Sequence, residues 1–84
     1  MEYLLVNFGS PRRRVIVDGS PFGFTDAVIQ IEAGTHEVTL EAPPDFSPAA
    51  QTVVIQNTSP LAPLNVTFHR LPPSAIPPAP GART

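Results

Sequence analysis

The stretch Val15-Ile16-Val17-Asp18-Gly19-Ser20-Pro21-Phe22-Gly23 decides the fold. A β-branched run that meets Asp-Gly is a strong short-range hairpin signal, because glycine supplies the positive φ that a reversing backbone needs. A second glycine, Gly23, closes the excursion before the next apolar run, Ala27-Val28-Ile29-Gln30-Ile31. The neighbouring segments repeat the same theme of short apolar runs cut by turn residues, so the stretch predicts a small all-β domain.

Working outward, Tyr3 to Phe8 reads as a strand with Leu4, Val6 and Phe8 on one face, ended by Gly9-Ser10-Pro11; alternation of this kind marks a half-buried strand. In the run from Arg13 to Val17, the residues Arg13, Val15 and Val17 share a face, and the two valines are the expected core pair. Ala27, Ile29 and Ile31 face inward, and Ala33-Gly34 reverses the chain. From Thr35 to Ala42 the row His36, Val38, Leu40, Ala42 faces the core, and Thr35, Glu37, Thr39, Glu41 face solvent. Pro43-Pro44-Asp45-Phe46-Ser47-Pro48 is too rich in proline for a central strand, and Phe46 is expected to fold back as a cap on the core. Ala50 to Gln56 and Pro63 to Arg70 are the remaining strands, with Leu64, Val66 and Phe68 inward in the second. No window keeps a helical period without an interrupting proline or glycine.

Composition sets the limits. A chain of 84 residues makes one domain at most and buries only about 60% of its unfolded surface. With no cysteine, no disulfide supports the core. Five arginines, no lysine and seven acidic residues give a formal net charge of −2, which argues against a nucleic-acid binder that must neutralise many phosphates. The missing lysine also excludes Schiff-base and P-loop chemistry. No run approaches the ~20 apolar residues that span a bilayer, so membrane insertion is not expected. The N-terminus lacks the basic and small-residue features of a signal peptide. The chain as written reads as cytoplasmic, or as cell-surface or periplasmic if it is a fragment of a larger protein.

From Leu71 onward the prolines Pro72, Pro73, Pro77, Pro78 and Pro80 crowd together. This predicts a proline-rich flexible tail over 72–84 behind a folded domain of 1–71, extended as polyproline II or disordered.

With the strands placed, their order resembles the PEGA domain, a small bacterial and archaeal β-sandwich family of surface-layer and other multidomain proteins. The residues that carry the likeness are Leu4 and Val6, Ser10-Pro11, Val15-x-Val17-Asp18-Gly19, Gly23-x-Thr25, Gly34-Thr35-His36-x-Val38-x-Leu40 and Val66-x-Phe68. Asp26 stands where the family pattern has a proline after the threonine, and Asp45-Phe46 stands where it has Gly-Tyr. The resemblance implies a structural or binding role and carries over no catalytic residue.

The candidate chemistry is sparse. His36 and His69 are the only imidazoles, and zinc needs three or four converging ligands. They lie on opposite rows, so no metal site is expected, and His36, placed just after Gly34, is expected to satisfy a backbone group of that turn. Ser10, Ser20, Ser47 and Ser59 all neighbour proline in turns, where serine is ordinary turn chemistry. No catalytic residue and no cofactor are expected. Arg12, Arg13 and Arg14 form the only charge cluster: they are candidate partner contacts through forked guanidinium donors, or else solvated side chains that shield a sheet edge.

The reading is therefore a small antiparallel β-sandwich of about seven strands that is not an enzyme. It predicts a protein–protein interaction or assembly module, an adaptor that binds a protein partner or itself through an edge strand. The alternatives are a regulatory or inhibitory subunit of an enzyme, and a surface-layer or carbohydrate-binding module.

Overall fold

A computed structural model describes residues 1–72; the segment 73–84, on which the expectation of a flexible tail falls, lies outside the described residues. Nine strands follow one another: β1 (Glu2–Asn7), β2 (Arg14–Val17), β3 (Ser20–Phe24), β4 (Val28–Ile31), β5 (Gly34–Leu40), β6 (Phe46–Ser47), β7 (Gln51–Ile55), β8 (Leu64–Thr67) and β9 (His69–Arg70). No helix occurs among the described residues, so none there is long and apolar enough to cross a membrane.

The hairpin forms as its sequence demands. Asp18 and Gly19 have φ values of 51° and 85°, and Val17 pairs with Ser20 across them. Positive φ at both central residues belongs to the type I′ turn, whose twist matches that of the flanking strands. The return arm, β3, is a strand that alternation does not reveal, because Pro21 and Gly23 interrupt it.

The strands make two layers. One sheet has the order β4-β1-β8, and the other has the order β3-β2-β5-β7. Leu4, Val6, Ile29, Ile31 and Val66 from the first face Val15, Val17, Val38, Leu40 and Ile55 from the second, all buried. These follow the inward rows that the alternation predicts, except that Ala42, expected on the core row, lies past the end of β5 and is exposed. At one end β6 pairs with β9. There Phe46 is buried and makes edge-to-face contacts with Phe8 and Phe68, at centroid distances of 6.3 and 5.7 Å, so it caps the core as expected.

Three features of the strand pairing also differ from what the sequence predicts. The run from Pro63 to Arg70 changes partner at Phe68, whose N–H donates to Asn7, so one predicted strand becomes β8 and β9. The Ala33-Gly34 reversal carries the chain from one layer to the other, and β4 and β5 do not pair. The pairing is antiparallel except between β1 and β8, which run parallel.

Candidate interaction surface

The residues that carry the family likeness prove to be structural fasteners. Asp18 Oδ1 accepts the Glu37 N–H at 2.9 Å, and its Oδ2 lies 2.7 Å from His36 Nδ1. His36 Nε2 in turn reaches the Glu32 carbonyl at 2.9 Å, so this imidazole does satisfy the turn backbone. The hydrogen bond that His36 donates to Asp18 raises the His36 pKa, with the one to the Glu32 carbonyl adding to it. The Glu37 N–H, followed by His36, lowers the Asp18 pKa. The hairpin turn is thereby tied to β5 and to the end of β4.

Gly23 and Thr25 fasten the other end of the same hairpin. A bulge lies in the β2–β3 register between Arg14 and Ile16, and Gly23 adopts φ 96° there. A Cβ on Gly23 would meet Ile29 Cγ1 at 3.0 Å, so glycine is needed for both its backbone and its bareness. Thr25 is fully buried. Its Oγ1 accepts the Arg13 N–H and its own N–H donates to the Arg13 carbonyl, both at 2.9 Å. Asp26 has φ 59°, which a proline ring forbids, and its Oδ2 accepts the Gly9 N–H at 2.8 Å.

The three arginines of the expected partner-contact cluster have separate surroundings. Arg13 follows its inward row: its guanidinium forks onto Asp45 at 2.9 and 3.0 Å, donates to the carbonyls of Glu41 and Pro43, and lies over the Phe8 ring. This pair is largely shielded, with side-chain exposures of 13% and 17%, and the arginine holds the Asp45 carboxyl below its usual range. Arg70 covers Phe8 from 4.2 Å and also approaches Asp45. Arg14 lies over Phe24 at 4.6 Å. Arg12 is exposed. His69 is exposed on β9 in a different sheet from His36, and among the described residues no three metal-binding side chains come together.

The two layers leave a pair of lateral edges. One is formed by β3 and β4, each paired on one side only. It carries the exposed Phe22, Phe24 and Val28, which with Arg12 border a groove of about 470 Å³. This edge is blunted against strand addition, because Pro21 has no N–H to offer and the bulge at Gly23 bends the ladder.

The opposite edge is formed by β7 and β8. From Phe46 to Phe68 the sequence has no Asp, Glu, Lys or Arg, so this edge has no charge of its own. Within Gln51-Thr52-Val53-Val54-Ile55 there is no proline and no bulge in the register with β5. Val54 is 56% exposed. β8 is less open: Pro63 precedes it, and the Thr67 carbonyl already accepts Gln51 Nε2 at 2.7 Å. No local sequence pattern marks which strands lie at the edges, because strand order is set by long-range pairing.

Comparison with protein-family models gives a match to the one described as PEGA domain over residues 6–69. No curated protein and no solved structure matches the chain.

Proposed function

Because the chain belongs to the PEGA domain family, matched over more than half its length, we propose that it is a non-catalytic protein-interaction module that works through a sheet edge. One observation carries the choice of edge: β7 is paired only with β5, and it has neither charge, proline nor bulge to discourage a further strand. Natural proteins guard such edges, and β3 in this chain is guarded. Main-chain hydrogen bonds along β7 supply affinity for an extended segment, and the alternating Thr52 and Val54 supply its side-chain preference.

A second reading draws on Phe22 and Phe24, whose exposed rings beside Arg12 suit a surface-layer or carbohydrate-binding module. An enzyme-regulating subunit would use either edge, and would be recognised by a change in its partner's turnover.

The test is a titration of an uncharged peptide of alternating threonine and valine into the isotope-labelled chain, followed by amide chemical shifts. The expected result is a set of shifts at Gln51–Ile55 and the facing residues of β5, weakened in Val54→Lys. Shifts confined to Phe22 and Phe24, or none at all, would overturn the proposal.

A further inference from the structure

Building on the edge reading above, we propose that β7 takes as its partner β7 of a second copy of this chain, antiparallel across a two-fold axis, so that two four-stranded sheets join into one of eight. A two-fold interface must be self-complementary, and an antiparallel strand edge meets that condition through its backbone alone. With the axis at Val53, Thr52 faces the partner copy's Val54, and Gln51 faces its Ile55. The exposed Val54 is then covered by a β-branched neighbour, a favourable cross-strand pair.

Charge decides between this edge and the others. The chain has a net charge of −2, and bringing two copies together is opposed wherever like charges meet. β7 and its flanks are free of charge from Phe46 to Phe68. The nearest acidic side chain on the outer face is Glu37, one strand inward and opposite Thr52. In the paired sheet the two Glu37 residues are separated by three strand spacings, at least about 14 Å, beyond the ~8 Å screening length at physiological salt. By contrast, the edge strand β3 carries Pro21, opposite Ile16, and sets Phe24 opposite the charged Arg14, and β4 runs into Glu32. Five residues of edge bury less than the ~1,200 Å² of a standard interface, so the dimer is a weak one that forms with rising concentration.

The test is sedimentation equilibrium of the full 84-residue chain from micromolar to millimolar concentration, with Val54→Lys and Thr52→Lys as variants at exposed positions. The expected result is a wild-type mass that climbs from one chain toward two. Each lysine variant, with an unchanged circular dichroism spectrum, should associate about tenfold more weakly or less. A wild-type chain that stays single throughout overturns the second-copy proposal; if the threonine–valine peptide still shifts the β7 amides, the edge reading survives, and if it does not, both fall. Dimers that form equally well in both variants overturn the placement on β7.

Discussion

His36 has an acceptor at each ring nitrogen, the Asp18 carboxylate on one side and the Glu32 carbonyl on the other. Satisfying both requires a proton on both nitrogens, so the imidazolium is the form that fits. Its pKa is raised in the folded chain, so its contribution to stability is complete below the unfolded value of about 6.5. That contribution is lost as pH climbs from there through the folded pKa. Urea midpoints should therefore fall between pH 6 and pH 9, and His36→Gln should flatten that slope; an equal slope in the variant would contradict the assignment. Asp18 and Asp45 act at the acid end. Their pKa values are lowered, so what they contribute is present above about 3.9 and disappears as pH falls through the folded values. Arg13→Lys keeps the charge but loses the fork onto Asp45, and should cost about 2 kcal/mol in urea unfolding. A loss within ~0.5 kcal/mol, the size of an ordinary surface substitution, would return Arg13 to the solvated surface. Part of this was legible in the sequence: Arg13 shares the inward row of Val15 and Val17, and His36 sits just after its turn. The partners were not, because Asp18 meets His36 only once Val17 is set opposite Val38, and no local pattern fixes that register.

At the scale of strands, sequence periodicity told which side chains face inward but not which strands lie side by side. Leu4, Val38 and Val66 are buried as their alternation required, whereas the parallel pairing of β1 with β8 and the arch from β4 to β5 left no local mark. β3 escaped for a different reason: Pro21 and Gly23 are turn residues in most settings, and here they shape an edge strand and its bulge. Gly23→Ala should destabilise the domain by about 1–2 kcal/mol from backbone strain alone, with more from the approach to Ile29. A double-mutant cycle with Ile29→Ala separates the two. The pair should be less destabilised than the sum of the single variants, since removing the Ile29 branch relieves the contact but not the strain. Strict additivity would show that the contact with Ile29 costs nothing.

For the whole molecule, a thin two-layer core without disulfides leaves little reserve. Phe68, 2% exposed and edge-to-face with Phe46, closes the end where β6 and β9 meet. Phe68→Ala should remove about 3–5 kcal/mol and leave the chain largely unfolded near room temperature, as read by loss of dispersed amide resonances; a cooperative native transition in that variant would mean that the end cap is dispensable. The same two-layer plan divides the surface into a blunted lateral edge with aromatic side chains and an open, uncharged one. The division is visible only after the strands are ordered, although the charge-free run from Phe46 to Phe68 is written in the sequence. The central claim, that β7 is the edge on which two copies of this module associate, is tested most directly by residue-resolved amide exchange at low and high protein concentration. Protection at Gln51–Ile55 should rise with concentration while that of Ser20–Phe24 stays constant; protection that rises at Ser20–Phe24 instead, or nowhere, would contradict it.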